Sequence, residues 1–276
     1  MDMRDEVVLI TGASRGLGRA FAHALAERGA RVALTGRSAD ALQRTVDELG
    51  QPPDRVLAVP ADVTDPDAVV GAIAAVEARL GSINVLINNA GQLRAVGSIG
   101  VVDPAEWWRE VEVNLRGPFL YAHGVLPRMR ARAAGRIINV ASGAGLVALP
   151  QVSAYNVSKT ALIRLSETLA LEAAGSGVRV FAIHPGTVWT PMNAHLHDSA
   201  EVAATAPEVQ HWFRTLFAEG RDTPIERSVE LVVRLARGDA DALSGWYVSV
   251  DDDLDALVRE HVAEPRLGRR TLRMQM

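Results

Sequence analysis

Short apolar runs alternate with longer amphipathic stretches along most of this chain. The apolar runs occupy residues 7–10, 31–35, 56–59, 84–87, 136–140, 178–183 and 246–250. Stretches with helical spacing lie between them, at residues 18–28, 39–49 and 66–80, from about residue 104, and from about residue 155 to 174. Apolar runs interleaved with helices in this way predict an α/β fold, in which a parallel sheet is covered by helices on both faces.

One segment, from Thr190 to about Thr223, breaks this rhythm because it holds no candidate strand. Its side chains include Trp212, Phe213 and Phe217. An insertion that brings its own aromatic residues is more typical of a lid over a site than of a flexible linker. We therefore expect a helical lid over residues 190–223.

Composition sets the broad class of the protein. A chain of 276 residues with 48% hydrophobic and 22% charged side chains is long enough for one α/β domain, which we expect over residues 1–276. The formal net charge of −4 gives no reason to expect nucleic acid as a partner. Cysteine is absent, which excludes disulfides, thiolate catalysis and cysteine-based metal sites.

The ends of the sequence favour a cytoplasmic location away from membranes. Residues 1–6 are charged and lead directly into the first apolar run, unlike a signal peptide, and no apolar stretch is long enough to cross a bilayer. Residues 252–276 form an extension that ends in a basic tail with Arg266, Arg269, Arg270 and Arg273. This tail is interpreted either as a solvated terminus or as a segment that docks onto a neighbouring subunit.

Glycines cluster where the first apolar run meets the first helix. The segment reads Thr11-Gly12-Ala13-Ser14-Arg15-Gly16-Leu17-Gly18. Glycine permits a tight turn and a close approach of the backbone to a phosphate, and a helix N-terminus offers free N–H groups with a partial positive charge. In an alternating chain this position indicates a phosphate site for a dinucleotide.

Two later strand ends carry residues that suit a nucleotide. Asp62 follows the third apolar run and could accept a hydrogen bond from an adenine amine; the alternative is that it caps the helix beginning near Pro66. Asn88-Asn89-Ala90-Gly91 ends the fourth run, where small and amide-bearing side chains permit close packing against a nucleotide.

The end of the second run bears on which dinucleotide binds. A site for NAD usually places a carboxylate there, which binds the ribose hydroxyls. This sequence has Gly36 at that position, followed by Arg37, and Arg15 lies in the glycine segment. Two guanidinium groups without a carboxylate suit a 2′-phosphate, so we expect a preference for NADP(H). The alternative is that both arginines are ordinary surface charges.

The strongest chemical signal is Tyr155 followed by Lys159, with Ser142 upstream. Residues four apart share one face of a helix, and a lysine ammonium beside a phenol lowers its pKa from the usual value of about 10. Ser142 follows the apolar run at 136–140, where open α/β sheets bind their ligands. The pattern predicts a tyrosine that exchanges protons near neutral pH.

Taken together, these motifs resemble those of the short-chain dehydrogenase/reductase family in its single-domain form. The likeness spans residues from about 6 to 250 and includes Thr11-Gly12-x-x-x-Gly16-x-Gly18, Asn88-Asn89-Ala90-Gly91, Asn114, Ser142, Tyr155-x-x-x-Lys159 and Pro185-Gly186. It implies a doubly wound, seven-stranded parallel sheet of the Rossmann type. The chain departs from the family pattern at Asp251-Asp252-Asp253, where glycines are often found, and in its C-terminal extension.

The resemblance implies a role for each matching residue. Tyr155 would be the acid/base, Ser142 would polarise the substrate oxygen, and Lys159 would hold the nicotinamide ribose and lower the pKa of the tyrosine. Asn114 would anchor a water in the proton relay. The cofactor contacts expected are Gly12, Ser14, Arg15, Gly16, Leu17, Gly18, Arg37, Asp62, Val63, Asn89, Ala90, Gly91, Tyr155, Lys159, Pro185, Gly186, Val188 and Thr190.

The implied activity is an NADP(H)-dependent hydride transfer to or from a small-molecule secondary alcohol or ketone. An NAD(H)-preferring dehydrogenase of the same family is the first alternative. A non-catalytic dinucleotide sensor is a second, although such proteins commonly lose the tyrosine or the lysine. A sugar-nucleotide epimerase or dehydratase is a third, although those chains usually carry a longer C-terminal substrate domain.

Residues 92–97, 143–152 and 192–217 are expected to shape the substrate pocket. Their apolar and aromatic content favours a mid-sized hydrophobic alcohol or ketone. We expect a homodimer or homotetramer that associates through the helices near Pro104 and Tyr155, by resemblance to the family.

Five further side chains could have chemical roles but are given simpler interpretations. His184 is interpreted as a structural histidine at a strand end. His195 and His197 are interpreted as lid-surface residues and not as a metal pair, because no third ligand is evident and no metal is expected. Trp107 and its neighbour Trp108 are interpreted as core or interface residues.

Overall fold

The computed structural model describes Met3, Arg4, residues 6–264 and Leu272. It contains one sheet of seven parallel strands in the order β3-β2-β1-β4-β5-β6-β7. The strands are β1 (Val7–Thr11), β2 (Arg31–Gly36), β3 (Val56–Pro60), β4 (Val85–Asn88), β5 (Gly135–Val140), β6 (Val178–His184) and β7 (Tyr247–Ser249). The predicted fold class is confirmed, and each strand lies within about two residues of its predicted position.

Helices cover both faces of the sheet, which explains why the strands are continuously apolar. The helices are α1 (Gly16–Glu27), α2 (Ala39–Leu49), α3 (Pro66–Leu80), α4 (Pro104–Val111), α5 (Gly117–Ala131), α6 (Ser153–Glu172), α7 (Pro191–Asp198), α8 (Ala200–Thr205), α9 (Pro207–Ala218), α10 (Ile225–Arg237) and α11 (Leu254–Ala263). Side chains of α1, α2, α10 and α11 form the core on one face, and those of α3, α5 and α6 form the core on the other. All five residues of β1 are buried between them.

Strand order reverses direction between β1 and β4. From β1 the chain builds outward through β2 and β3, and then returns to add β4 on the other side of β1. The loops that leave the carboxyl ends of β1 and β4 therefore diverge and leave a crevice between them. Ligands of doubly wound folds bind at such a switch point.

Three helical features differ from the sequence-based expectation. The helix that begins at Pro104 continues through a π-helical segment, Glu112–Arg116, into α5. The predicted lid consists of three short helices, α7–α9. Helix α10 was not predicted, although Leu231, Val232 and Leu235 are buried on one of its faces.

The C-terminal extension begins as a helix, α11, whose Leu254 is buried in the core. The basic side chains Arg266, Arg269, Arg270 and Arg273 lie outside the described residues. Among the helices that the structure describes, none combines the length and the hydropathy that spanning a bilayer requires.

Candidate active site

Helix α1 begins at the crevice with its first turn open to a ligand. Its N-cap residue, Arg15, makes no side-chain hydrogen bond to the helix, and the first turn holds no acidic side chain. By contrast, Ser38 caps α2 and Asp65 caps α3 with side-chain oxygens. The free N–H groups and the positive end of the α1 dipole therefore suit a phosphate.

Two glycines of this turn are required by close contacts. Gly12 has a φ of +65°, and a Cβ atom there would lie 2.8 Å from Ala90 Cα. A Cβ atom on Gly18 would lie 2.4 Å from both Gly12 O and Asn89 Nδ2. These contacts explain the glycine pattern, because α1 and the end of β4 approach each other more closely than any side chain would permit.

Side-chain hydrogen bonds fix the floor of the crevice. Thr11 Oγ1 accepts hydrogen bonds from the backbone N–H groups of Asn89 (3.0 Å) and Ala90 (2.9 Å). In return, Asn89 Nδ2 donates to Thr11 O at 2.9 Å and to Gly12 O at 3.2 Å. The ends of β1 and β4 are therefore joined by bonds within the chain.

A cleft of about 280 Å³ opens above this floor. Most of the predicted cofactor residues line it: Gly12, Ser14, Arg15, Gly16, Leu17, Arg37, Asp62, Val63, Asn89, Ala90, Gly91, Tyr155, Lys159, Pro185, Gly186, Val188 and Thr190. Gly18, Ser142 and Asn114 are not part of the lining. Lining residues that the sequence did not single out include Ala61, Val113, Val140 and Ala141, which are small or apolar and so carry no distinguishing pattern.

One end of the cleft is basic. Among the described residues, no carboxylate lies within 4 Å of the guanidinium group of Arg15 or of Arg37. Asp62 interacts with Arg37 only through its charge at longer range. The pKa of Asp62 is below its usual value. Burial raises this pKa, but the hydrogen bonds from Thr64 and the charge of Arg37 together lower it by more than burial raises it. Asp62 does not cap α3, because Asp65 does.

At the other end of the cleft, α6 and the end of β5 bring together Tyr155, Lys159 and Ser142. Lys159 is buried and donates a hydrogen bond from Nζ to Val140 O at 2.7 Å. Its Nζ lies 5.5 Å from the centroid of the Tyr155 ring. Ser142 follows β5 and forms a hydrogen bond with Tyr155. These three residues therefore meet as their spacing predicted.

The pKa of Tyr155 is raised, whereas the sequence predicted that it would be lowered. Its value is about 12, because burial and the negative charge of Glu110 raise it by more than the hydrogen bond with Ser142 lowers it. The ammonium of Lys159 lies over the ring, and burial lowers the pKa of Lys159 itself to about 8, partly offset by Glu110. In the protein alone, desolvation of the phenolate therefore outweighs the effect of the lysine.

Asn114 lies in the π-helical segment and is fully buried. Its Nδ2 donates to Gln92 O at 2.8 Å and to Ser158 Oγ at 3.2 Å, and its Oδ1 accepts from Gln92 N at 2.8 Å. A Cβ atom on Gly91 would lie 3.2 Å from Asn114 Oδ1 and 3.6 Å from Lys159 Nζ. Asn114 therefore lies beside the lysine and holds the loop that follows β4. π-Segments inside helices often occur at functional sites.

Glu110 is the residue near the site that the sequence did not reveal. Its side chain is fully buried, and Oε2 accepts hydrogen bonds from the backbone N–H groups of Arg94 (2.5 Å) and Ala95 (2.9 Å). Burial raises the pKa of Glu110, the two backbone hydrogen bonds lower it, and the charge of Lys159 also lowers it. In the sequence, Glu110 lies among other charged residues and so resembles an ordinary solvent-facing residue of a helix, which is why its burial was not predicted.

The other polar candidates have structural partners. His184 Nδ1 accepts a hydrogen bond from Gly143 N at 3.1 Å, and burial lowers the pKa of His184. His197 contacts Asp198 at 2.7 Å, and within the described parts of the chain no three His, Cys, Asp or Glu side chains form a group that could hold a metal. Trp107 Nε1 donates to Ser153 Oγ at 3.0 Å, whereas Trp108 is exposed.

The apolar side chains of the lid pack mainly against one another. Leu196, Val202 and Phe213 are buried in a cluster that includes Leu93 and Val96. The lid residues that line the cleft are Met192 and Asn193, after Thr190 and Pro191. The buried apolar side chains of the lid therefore stabilise the lid itself.

Comparison with known proteins gives matches that span all the residues of the cleft. The family model described as short chain dehydrogenase matches residues 6–201. D-beta-hydroxybutyrate dehydrogenase of Rhizobium meliloti is 36% identical over 253 residues, which cover 89% of this chain and 97% of that protein.

Solved structures match as well. Levodione reductase has a TM-score of 0.82 at 31% identity, covering 92% of this chain and 99% of that one. A variant of actinorhodin polyketide ketoreductase with NADPH has a TM-score of 0.80 at 31% identity, covering 89% and 95%.

Proposed function

Because the chain belongs to the short-chain dehydrogenase family, whose members are oxidoreductases of alcohols and ketones, we propose that it transfers hydride between NADP(H) and a secondary alcohol or ketone. The observation that carries this proposal is that Tyr155 and Lys159 line one end of a cleft whose floor suits a dinucleotide, with Ser142 beside Tyr155. The bound nicotinamide would supply or accept the hydride.

We propose that Tyr155 is the acid/base that donates and accepts the proton of the reaction. In the reductive direction its hydroxyl protonates the carbonyl oxygen while Ser142 donates a hydrogen bond to the same oxygen. Burial keeps the phenol protonated at neutral pH, because its pKa is about 12, and this is the form that reduction requires. Oxidation reverses each step and requires the phenolate.

The amino-acid composition of the chain, as well as the position of Lys159, supports this assignment. Of the 29 lysine and arginine residues in the chain, Lys159 is the single lysine. Arginine therefore carries every other permanent positive charge, and the one ammonium group lies buried beside Tyr155. An ammonium is a compact donor whose pKa responds to its surroundings, whereas a guanidinium stays charged. We propose that Lys159 binds the nicotinamide ribose and sets the charge around Tyr155.

Replacing Tyr155 by phenylalanine tests the catalytic assignment. The Tyr155→Phe variant keeps the ring and loses the proton, so it should bind NADPH with nearly unchanged affinity and lower kcat by about a hundredfold or more. Fluorescence titration measures the binding of NADPH, and single-turnover reduction of a ketone measures the rate. Near-normal turnover by this variant would contradict the role.

Cofactor choice follows from the basic end of the cleft. Arg15 and Arg37 line the cleft together with Gly36, which brings no carboxylate to the end of β2. Both side-chain hydrogen bonds from Thr64 go to Asp62 Oδ1, so Oδ2 has no hydrogen-bond donor among the described residues. We propose that NADP(H) is preferred, that Arg15 and Arg37 hold the phosphate, and that Asp62 binds the adenine. The structure of the ketoreductase relative with NADPH supports this choice.

The ratio of kcat/KM for NADPH and NADH measures this preference. The wild-type protein should favour NADPH, and Arg37→Gln should lower kcat/KM for NADPH by about tenfold or more while leaving NADH nearly unchanged. An equal loss with both cofactors would indicate general damage to the site, and a wild-type preference for NADH would overturn the assignment. The cytosolic location stays a prediction.

A further inference from the structure

The loop that follows β4, residues 92–97, lies between the proposed catalytic tyrosine and the lid. Leu93 and Val96 are buried in the lid cluster, and Tyr155 and Met192 pack at the edge of the same cluster. The alternate residues of the loop, Gln92 and Arg94, line the cleft together with Tyr155. Both residues therefore border the space in which a substrate of Tyr155 would be bound.

The backbone of this loop is held at several points. Asn114 binds both the N–H and the C=O of Gln92, and the buried carboxylate of Glu110 binds the N–H groups of Arg94 and Ala95. Gly97 N then donates to Gln151 O at 2.8 Å, which ties the loop to the segment before α6. Groups held on a fixed backbone can recognise a ligand without the cost of ordering a mobile loop.

The two side chains that the loop presents are unpaired donors. Gln92 Nε2 is buried and makes no hydrogen bond within the part of the chain that the structure describes. Arg94 is exposed to the cleft and has no carboxylate within 4 Å among the described residues, because Glu110 binds its backbone N–H and not its guanidinium. A buried amide N–H₂ group is normally hydrogen-bonded, and a guanidinium without a carboxylate partner can bind a carboxylate through two parallel hydrogen bonds. A carboxylate is therefore a ligand that could accept hydrogen bonds from both side chains.

We propose that the substrate is a hydroxy acid or keto acid whose carboxylate is bound by Arg94 and Gln92 while its carbonyl or hydroxyl group meets Tyr155. This rests on the proposed function, and it replaces the expected hydrophobic substrate by an anionic one. The apolar residues of the lid pack among themselves, so they do not oppose this assignment. Glu110 and Asn114 are positioning residues, because they act through the loop that carries the two donors.

A series of keto acids and their methyl esters, reduced with NADPH, tests the proposal. The ester keeps the carbonyl and the chain length but removes the charge. Wild-type kcat/KM should be at least about tenfold higher for the best acid than for its ester. The Arg94→Met variant keeps the length of the side chain, and it should lose this preference through a higher KM for the acid, with unchanged kinetics for the ester.

Arg79→Met is the matched control, because Arg79 is an exposed arginine of α3 that lies outside the cleft and outside the helices expected at the subunit contact. It should behave as the wild-type protein. Thermal unfolding of each variant shows whether the fold is kept. If esters and neutral ketones are reduced as well as acids, and Arg94→Met changes neither, the anion site is overturned while the proposed function stands.

If no carbonyl compound is reduced although NADPH binds, the proposed function fails and the anion site is tested by binding alone. Calorimetric titration of butyrate into the NADP⁺-saturated protein avoids competition with the phosphate site of the cofactor. Binding that is lost in Arg94→Met and kept in Arg79→Met supports the site. Absence of butyrate binding to the wild-type protein overturns it.

Discussion

At the scale of single residues, burial decides the protonation of the site. The same desolvation raises the pKa of Tyr155 to about 12 and lowers that of Lys159 to about 8, because each charged form loses water. Glu110 raises both pKa values, since its negative charge disfavours the phenolate and favours the ammonium. At neutral pH the site therefore holds a neutral phenol beside an ammonium group whose charge is disfavoured by burial.

A buried lysine of this kind should lower the stability of the protein near neutral pH. Its folded pKa of about 8 lies below the unfolded value of 10.5, so the unfolded chain binds the proton more tightly and stability rises with pH between about 8 and 10.5. Lys159→Met should raise the free energy of unfolding at pH 7 by roughly 1–3 kcal/mol.

Urea unfolding at pH 7 and pH 10 measures this effect. The gain should be largest at pH 7 and should shrink toward pH 10, where the lysine of the folded wild-type protein is already neutral. A gain of the same size at both values would point to packing of the methionine and not to the charge. Loss of stability at pH 7 would mean that the lysine is well satisfied.

At the scale of elements, the contact between α1 and the end of β4 forms the proposed phosphate site. Gly18 is the closest point of α1, because a Cβ atom there would lie 2.4 Å from Gly12 O and from Asn89 Nδ2. The hydrogen bonds between Thr11 and Asn89 fix the end of β4 against β1, so Asn89 cannot move away without breaking them. Cofactor binding and the packing of α1 should therefore respond together to a change at this glycine.

Gly18→Ala should weaken NADPH binding by about tenfold or more and lower the free energy of unfolding by roughly 1–3 kcal/mol, because the added methyl group overpacks a fixed contact. Gly71→Ala is the matched control. Gly71 lies in the middle of α3, where an added Cβ meets nothing within 4 Å, so alanine should stabilise the helix by about 0.5–1 kcal/mol and leave binding unchanged. Fluorescence titration and urea unfolding distinguish the two variants.

The elements also show what the sequence can predict. The strands follow from short apolar runs, because a sheet covered on both faces needs no polar side. The π-segment at Glu112–Arg116 has no such signal, since it depends on how α4 and α5 fit against α6. Glu110 is similar, because its burial and its bonds to Arg94 and Ala95 arise from a loop that packs against α4 only in the folded chain. Spacing predicted that Tyr155, Lys159 and Ser142 would meet, but it could not predict how burial would set their pKa values.

At the scale of the whole molecule, exposed apolar side chains favour association. Trp108 on α4, Phe119 on α5 and Leu171 on α6 are 62%, 47% and 67% exposed. Large apolar side chains of this kind often mark contacts with another protein. We propose that a second copy of this chain covers α4, α5 and α6, in keeping with the homodimer or homotetramer expected through the helices near Pro104 and Tyr155.

Trp108→Glu should weaken this association, because it places a charge at a contact that excludes water. Light scattering should then show a smaller mass than for the wild-type protein at the same concentration. Val70→Glu is the control, since Val70 is 63% exposed on α3, which we do not place in the interface. A monomeric wild-type protein, or equal behaviour of the two variants, would contradict the proposed interface.

The single lysine gives the protein a built-in spectroscopic probe. Isotopic labelling of lysine alone would yield one side-chain resonance from the entire molecule, and that resonance would report the ammonium that donates to Val140. Its chemical shift, followed through an alkaline titration, gives the ionisation constant of this group directly. The same signal would respond to nucleotide and to substrate, so each step of assembly could be observed at the reacting centre without a variant.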